Sequence, residues 1–466
     1  MEKDRMILEA AYRAWNGAAE FRGKRRRYKR FTYGDQWDDP VTVSNGNVVT
    51  AAERARIHGR RPMTSNLLRR LVKSVIGRYR YQRQEEEEPL TGLKADVYKA
   101  NNLDEIDCRS LEEFLISGCT VQRVINERRL MGEGVWIDMV SPENFFVNRI
   151  RDPRGWDTEL IGMLHDWSLT ETVLRLAGPD SRRAAAIRQL YSSLESSPVP
   201  GRLGSVGDRE SFVCAPAGRC RVIEVWTLEA TERLRCHDRH RASCFTLPVT
   251  AGDRLERINR GRKARGCQPI ETKWEATTTW RCRWMAPDGT VLHSHLSNAP
   301  DGRHPFRFRF YPMIDGEIHS LIEDVIDQQI YINELISLID HVVSCAAKGV
   351  LLFPVESKVP TLSWENIAEM WSAPDAIIPY KTTGATNSHP QQVMTSTQGL
   401  GAKELLATQM QMFEDVSGVS NALMGKTSSG QIGVEHYESQ VKNALITITD
   451  ILDTFANFIA ERNDSL

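Results

Sequence analysis

The chain lacks the features that mark secreted, membrane-spanning or strongly basic proteins. Its 60 basic and 61 acidic residues give a net charge of -1, so the chain as a whole has no bias toward nucleic acid. The most apolar window, Val342 to Phe353, is interrupted by Lys348 and is too short to span a bilayer. No apolar run follows Met1, so we expect no secretory signal and a soluble, intracellular protein.

Strings that mark common enzymes are also missing. The sequence has no Gly-x-Ser-x-Gly, no His-Glu-x-x-His and no glycine-rich dinucleotide turn after a strand. Gly425-Lys426-Thr427 resembles the end of a phosphate-binding loop, but Ser420 stands where the first glycine is needed and a helix precedes it. We expect no enzyme activity and no cofactor, and we interpret His165-Asp166 and His341 as structural groups.

The chain has few cysteines, and their number is odd. Nine cysteines without a signal peptide favour free thiols. One cluster leaves zinc binding open as an alternative, although its cysteines lack the short pairing that zinc sites use. Its members are Cys214, Cys220, Cys236, His237, His240 and Cys244.

A long amphipathic helix is the clearest pattern that is present. Between Glu317 and Ala346, apolar residues recur at three- and four-residue steps with acidic residues between them. At about 1.5 Å per residue this helix would be on the order of 45 Å long. That is longer than a compact domain needs to cover its core, so the helix is expected to span a distance instead. Its carboxylates Asp324, Asp327 and Asp340 are expected on a wet face, which in a ring would line a channel and repel DNA phosphates.

A small insert, two more helices and a loop follow. The pattern predicts strands at Val350 to Phe353, Ala376 to Tyr380 and Gln391 to Met394, with a helix from Pro360 through Trp371. Trp364, Trp371, Ile377 and Tyr380 are expected to hold this insert together or to contact another subunit. Helices are predicted from about Lys403 to Leu423 and from Gln431 to Glu461, separated by a loop with two glycines, 424–430.

The segment before residue 315 mixes both element types. Helices are predicted at Glu2 to Trp15, Ser65 to Tyr81, Leu103 to Ile116, Ser168 to Leu176 and Ser181 to Leu194. Strands are predicted at Trp136 to Met139, Arg219 to Leu228, Glu275 to Trp284 and Thr290 to His295. Residues 250–265 are a charged helix or a solvated loop. The fold class is therefore α+β.

This order of elements resembles the portal proteins of tailed bacteriophages, in which a stem helix, an α/β clip, a second stem helix, a tunnel loop and a further helix follow one another. Several strings add to the resemblance: Tyr33-Gly34-Asp35-Gln36-Trp37, Arg61-Pro62-Met63-Thr64-Ser65-Asn66, 140–146, Gln328-Gln329-Ile330-Tyr331-Ile332-Asn333 and 416–425. The resemblance implies a wing at 1–315, a first stem helix at 316–346, a clip at 347–398, a second stem helix at 399–423, a tunnel loop at 424–431 and a wing or crown helix at 432–466. A large C-terminal crown would be absent or reduced.

The resemblance also implies a function and partners. The chain would form a ring, usually of twelve copies, at one capsid vertex, and would serve as a passive conduit for double-stranded DNA. Terminase and head-tail adaptor proteins would bind the clip, and the major capsid protein would surround the ring. The protein would lie in the virion, and in the bacterial cytoplasm during assembly, without binding a membrane.

Three sets of residues are candidate contact sites. Small polar residues suit sliding contact with DNA phosphates, which predicts a channel loop of Lys426, Thr427, Ser428, Ser429 and Gln431. Charged clip residues that could bind partners are Glu365, Glu369 and Lys381. A basic run, Lys24, Arg25, Arg26, Arg27, Lys29 and Arg30 together with Arg22, is either a solvated arm making ion pairs between subunits or a DNA contact.

Two alternatives come from other classes of protein. The first is a nucleic-acid-processing enzyme such as a nuclease, but two-metal chemistry needs carboxylates that converge from different elements, and one helix face does not provide them. The second is a zinc-bearing nucleic-acid adaptor built on residues 214–244.

Overall fold

A computed structural model describes residues 2–44, 46–86, 93–129, 132–195, 209–239, 241–297, 299, 302–348, 350–372, 377–382, 389–393, 401–419 and 434–465. The chain divides into two compact units. The first unit contains residues 1–27, 76–320 and 449–466, and the second contains residues 28–75 and 321–448. About half of the structure is helical and about a quarter is strand, which confirms the α+β class.

Helices and strands alternate in short groups along the chain. The helices are α1 (Glu2–Gly17), α2 (Ala19–Tyr33), α3 (Ala51–Ile57), α4 (Leu67–Glu86), α5 (Leu93–Asn101), α6 (Leu103–Ser117), α7 (Leu169–Ala177), α8 (Ser181–Glu195), α9 (Arg209–Val213), α10 (Gly252–Ala264), α11 (Leu321–Lys348), α12 (Trp364–Ser372), α13 (Ala402–Ser417) and α14 (Val434–Asn463). The strands are β1 (Pro40–Thr42), β2 (Val48–Thr50), β3 (Cys119–Arg129), β4 (Gly132–Met139), β5 (Phe145–Val147), β6 (Leu160–Trp167), β7 (Cys220–Asp238), β8 (Ser243–Pro248), β9 (Glu271–Met285), β10 (Val291–Leu296), β11 (Phe306–Phe310), β12 (Pro312–Ile314), β13 (Glu317–Ile318), β14 (Val350–Leu352) and β15 (Gln391–Val393). Short 3₁₀ turns lie at Val249–Ala251 and Val355–Ser357.

An antiparallel sheet with the order β10-β9-β7-β6-β5 forms the centre of the first unit, and β8 pairs with β7 beside it. Strand side chains alternate between the two faces of a sheet. Val222 and Trp226 of β7 pack in one hydrophobic core, while Ile223 and Val225 pack with helix α1 in another. The first half of β7 is therefore covered on both faces, and its sequence is mostly apolar, interrupted by the buried residues Arg221 and Glu224.

The second unit is built on α11, which packs against α13. A hairpin of β1 and β2 leads into α3, where Thr50 and Glu53 form a capping box at the helix start. Strands β14 and β15 form a separate two-stranded antiparallel ribbon. Helix α11 has 28 residues and is about 42 Å long.

Most elements predicted from the sequence are present, with several changed bounds. Helix α11 begins at Leu321 because Glu317 and Ile318 pair with β12 as a strand. Helix α13 ends at Ser417 because Gly418 adopts the left-handed conformation, with φ of 66°, that terminates helices. The strand predicted at Ala376 to Tyr380 is wrong, since the described residues 377–380 form neither helix nor strand.

Residues 250–265, predicted as either a charged helix or a solvated loop, are mostly helical and form α10. Strand β7 is ten residues longer at its C-terminal end than predicted, because this end pairs with β9 through His237 and with β8 through Asp238.

Candidate functional site

A polar stripe runs along the buried side of α11. Gln329, Asn333 and Ser337 are four residues apart, so they lie on the same side of the helix. Their exposed fractions are 0, 2 and 1 %, although the side that they share is otherwise lined by apolar residues such as Ile322 and Ile332. Buried polar groups need hydrogen-bond partners, so this stripe requires matching polar groups from another segment.

Backbone groups of the segment before α4 supply part of those partners. The Gln329 side chain accepts a hydrogen bond from the Leu67 N–H at 2.9 Å and donates to the Ser65 carbonyl oxygen at 2.7 Å. The Asn333 side chain accepts from the Ser65 N–H at 3.0 Å and donates to Gln36 Oε1 at 2.6 Å. Each amide thus uses both its donor and its acceptor.

Two further amides extend the network. Gln36 Nε2 donates to the Phe31 carbonyl oxygen at 2.8 Å, and Asn66 Nδ2 donates to the Thr32 carbonyl oxygen at 3.0 Å. The Gln36 amide also donates to Asn66 Oδ1 at 3.2 Å. We call the four side chains of Gln36, Asn66, Gln329 and Asn333 the amide network.

The amide network joins three strings that stand far apart in the sequence, at 33–37, 61–66 and 328–333. Sequence patterns did not predict that they meet. A usable signal was present, because amides at i and i+4 inside an apolar helix stripe imply a buried partner. The arrangement holds two loop segments against α11 and has no ionisable group that could perform acid-base chemistry.

The opposite side of α11 is acidic. Asp324 and Asp327 are exposed there, as the sequence predicted, whereas Asp340 is partly buried and lies three residues from Ser337, on the side of the polar stripe. Glu334 pairs with Arg54 at 2.6 Å, and both side chains are 37 % exposed. Such a half-exposed ion pair contributes little to stability.

Several large apolar side chains of the described residues 350–372, 377–382 and 389–393 lie in solvent. Only part of this segment packs internally, since Ile367 is buried and the rings of Phe353 and Trp364 meet edge to face at 6.0 Å. Large apolar side chains there are 43 to 87 % exposed, a set that we call the apolar patch: Leu352, Val355, Trp364, Ile377, Tyr380 and Val393. Ile377 is 87 % exposed, so it does not hold the insert together within one chain, and its predicted alternative role, contact with another subunit, stays a prediction.

The predicted partner-binding charges lie on the same segment. Glu365 and Glu369 are exposed on α12, four residues apart and thus on one side of that helix. Lys381 is also exposed, and its backbone N–H donates to the Ser357 carbonyl oxygen at 2.9 Å. All three side chains can meet a partner. The predicted channel loop, Lys426 to Gln431, lies outside the described residues.

The basic run is only partly solvated. It lies in α2, and Arg22 and Arg25 are buried. Arg25 makes two hydrogen bonds to Glu113, at 2.6 and 2.8 Å, while Arg22 lies over the Trp15 ring at 3.7 Å. Burial lowers the pKa of Arg22 to about 10.

Other members of the run also pair within the chain, because carboxylates stand beside α2. Arg26 pairs with Glu143 and Arg30 pairs with Asp39. Lys24 and Arg27 are partly buried and Lys29 is exposed. Arg25, Arg26 and Arg30 therefore make ion pairs within the subunit, while the predicted contacts of the run with another subunit or with DNA stay predictions.

A buried charged cluster surrounds Glu224 in the first unit. Burial alone would raise the pKa of Glu224, but the charge of Arg123 and hydrogen bonds from His165 and Trp226 lower it to about 2. His165 Nε2 lies 2.8 Å from Glu224 Oε2, and burial lowers the pKa of His165, so the ring is neutral and donates this bond. Asp166 pairs with Arg221 at 2.7 Å. Because Glu224 is fully buried, the cluster holds the sheet together and offers no surface to a substrate.

A second buried pair fastens the end of α14 to α6. Arg462 pairs with Asp107, and neither residue is exposed. The Arg462 guanidinium also donates to Gln122 Oε1 at 3.2 Å and to the Tyr98 hydroxyl oxygen at 2.8 Å. Sequence patterns gave no sign of this contact, because its partners are more than 350 residues apart in the chain.

The proposed zinc ligands do not converge in the described part of the chain. Cys220 and Cys236 lie sixteen residues apart on the single strand β7, which separates them by roughly 50 Å. Cys214 is partly buried and Cys244 is exposed, and His240 lies outside the described residues. Among the described residues, no three histidine, cysteine or carboxylate groups are placed to hold a metal ion.

Within the ranges that the structure describes, no helix combines the length and apolarity needed to cross a membrane.

Comparison with known proteins gives one positive finding. A family model described as "Phage P22-like portal protein" matches residues 179–460, which is more than half of the chain. The matched span runs from α8 through α14 and therefore includes α11, the apolar patch and α13. No curated protein matches the chain.

Proposed function

Because this chain belongs to the phage P22-like portal protein family, and is thus a portal protein of a tailed phage, we propose that twelve copies form a closed ring through which DNA enters and leaves the capsid. The family is a structural one, and it implies a homo-oligomeric ring with capsid and terminase partners in the virion. The copy number, the channel-lining helices and the docking residues are parts of this proposal.

The observation that carries the ring is the apolar surface of the second unit. Besides the apolar patch, Tyr331 and Val343 of α11 and Leu405, Met412 and Val416 of α13 are 40 to 57 % exposed. Large apolar surfaces of this kind mark interaction sites in soluble proteins. One copy leaves them open, and a neighbouring copy in a heterologous ring contact would cover them.

We propose that α11 and α13 are the two stem helices and that residues 347–398 are the clip. Helix α11 is long enough to line a channel, and its exposed carboxylates Asp324 and Asp327 would repel DNA phosphates and prevent sticking. The two-stranded ribbon of β14 and β15 is marginal by itself, so it would gain stability from contact with a neighbour.

We assign partner binding to the exposed charges of the clip. Glu365, Glu369 and Lys381 are presented beside the apolar patch, as a docking surface with an apolar centre and a polar rim requires. The partners would be the terminase during packaging and a head-tail adaptor protein afterwards.

The loop Lys426 to Gln431 is proposed to contact DNA in the channel. Its small polar residues and single cation would give weak, salt-sensitive phosphate contacts without reading base sequence. Residues 1–315 are proposed to form the wing and residues 432–466 a wing or crown helix, with the major capsid protein around the ring.

Electron microscopy of the purified protein tests this function. We expect closed rings with a central channel, and we expect Lys426→Glu to preserve the rings while impairing DNA packaging or retention. Exclusively monomeric particles would contradict the ring. Rings with the 424–431 loop on the outer surface would contradict only the loop assignment.

A further inference from the structure

One part of the first unit has a charge that differs sharply from the rest of the chain. Residues 233–273 contain eleven basic and four acidic residues, a net charge of +7, whereas the remaining residues carry a net charge of -8. Described residues 233–239 and 241–273 comprise the end of β7, β8, α10 and the start of β9. We call residues 233–273 the basic module.

The basic module has its own small core, which fixes the orientation of α10. Cys236, Leu255 and Ile270 are buried together, and Leu234 and Leu247 pack against them. Arg262 of α10 reaches across to Asp238 of β7 with bonds of 2.8 and 2.6 Å. These contacts hold one side of α10 against strands β7 and β8 and leave its other side in solvent.

The solvent side of α10 is rich in cations. Five basic residues of this helix and its C-terminal end are exposed: Arg254, Arg257, Arg260, Lys263 and Arg265. The acidic residues Asp253 and Glu256 offset them only weakly, since the Glu256–Arg260 pair spans 3.9 Å between side chains that are at least 75 % exposed.

A pair of like-charged residues lies on strands β7 and β9 of the same module. Arg235 of β7 stands directly opposite Lys273 of β9, and both residues are exposed. Like charges in this cross-strand position destabilise a sheet. Among the described residues neither side chain has a carboxylate partner. A bound anion would remove this repulsion.

From these observations we infer that the basic module is a binding surface for the phosphate backbone of double-stranded DNA, separate from the channel loop. Nine of its eleven cations are arginines, whose planar guanidinium groups bind phosphate in a bidentate manner. The contact would be insensitive to base sequence.

The spacing of the cations favours a duplex over an acidic peptide. Arg254 and Arg265 are separated by about three helical turns, so they lie on the same side of α10 and about 16 Å apart along its axis. That separation is on the scale of the major groove, about 12 Å wide, with phosphates on both of its borders. A single acidic peptide segment has its charges along one chain and would not offer two rows of anions at this separation.

The test compares two sets of matched substitutions in the assembled full-length protein. The first variant carries Arg254→Gln, Arg257→Gln and Arg265→Gln. The control carries Arg13→Gln, Arg182→Gln and Arg188→Gln, three exposed arginines on α1 and α8. Binding of a short mixed-sequence duplex is followed by fluorescence anisotropy over a salt series, with particle mass confirming that assembly is unchanged.

We expect the α10 variant to lose about tenfold or more in affinity near 100 mM salt, and the slope of log affinity against log salt to fall by about 3. The control should change far less. The same loss should appear in a Lys426→Glu background, because the module binds without the channel loop. Equal losses in both triple variants, no loss at all, or a loss that vanishes in that background would overturn the inference.

A single substitution gives a second readout. Lys273→Glu turns the like-charged pair with Arg235 into an attractive one, so it should raise thermal stability and lower DNA affinity about two- to fivefold. If this variant binds the duplex as the wild type does but loses binding to polyglutamate, the partner is an acidic protein and the DNA assignment is wrong.

Discussion

The two units differ in where their polar and apolar side chains lie within a single chain. In the first unit, Asp107 and Arg462 are fully buried and bonded to each other, and Gln122 and Tyr98 complete their hydrogen bonds. In the second unit, the amide network is complete, but exposed large apolar side chains are grouped in the apolar patch and on α11 and α13, whereas those of the first unit, such as Trp156, Trp274 and Ile314, are spread along the chain.

This difference suggests that the first unit depends mainly on contacts within the chain, and the second mainly on contacts between chains. A buried ion pair is stable only if every partner is present, so the first unit must finish its polar contacts within one chain. Exposed apolar surface is unfavourable in water, so it drives association when a complementary surface is available. We therefore expect the first unit to be damaged by point changes in its interior, and the second to be damaged by changes on its surface.

The largest effect is expected for Arg462→Met. This change leaves the Asp107 carboxylate buried without its main counter-charge and should cost about 3 to 5 kcal/mol in opening free energy of the α6 and α14 contacts. Native-state hydrogen exchange of residues 103–117 measures that loss. Arg303→Met is the matched control, because that side chain is 51 % exposed and should cost under about 1 kcal/mol. Equal effects would show that the interior charges of the first unit are not special.

Asn333→Leu tests the one interior polar feature of the second unit described above. The leucine leaves the Ser65 N–H and Gln36 Oε1 without their partner, which should cost about 2 to 3 kcal/mol and speed hydrogen exchange at residues 61–68. Asp327→Ala on the exposed side of α11 should leave exchange unchanged. Unchanged protection in Asn333→Leu would mean that the amide network does not hold these loops.

Sequence patterns predicted most of the helices and strands, because apolar periodicity persists through long elements such as α11 and β9. They did not predict the amide network or the Asp107–Arg462 pair, since these contacts join residues that are hundreds of positions apart. Sequence patterns also did not predict the burial of Arg22 and Arg25 in the basic run. Its charge suggests solvent exposure, and only the fold brings Glu113 beside Arg25.

Acid should weaken the first unit. His304 is buried, and burial together with the charges of Arg307 and Arg303 lowers its pKa to about 3 from an ordinary value of about 6.5. The unfolded chain therefore binds a proton more readily than the folded one between these values. Stability is complete above pH of about 6.5 and falls below it, by on the order of 2 kcal/mol at pH of about 5.

Tryptophan fluorescence can follow this loss, because Trp280 lies 4.7 Å from the His304 ring. His304→Gln should flatten the dependence between pH of about 7 and 5. A fluorescence midpoint in denaturant that does not move with pH in the wild type would contradict this account.

The smallest effect on stability is expected from the charges of the clip. Reversal at Glu365, Glu369 and Lys381 should change subunit stability by under about 0.5 kcal/mol per site, because all three are exposed. Rings should remain intact while terminase or adaptor binding weakens, measured by co-sedimentation. Unchanged binding and packaging would remove these residues from the docking surface.

The central claim is that copies of this chain cover the exposed apolar surface of the second unit in a closed ring. Particle mass in solution, measured by light scattering across a concentration series, tests it most directly. We predict a single large species whose mass is a fixed multiple of 52.9 kDa, twelve in the proposed ring, and a shift to smaller species in a Val343→Glu and Ile377→Glu double variant. A wild-type particle that stays at 52.9 kDa at high concentration would contradict the account.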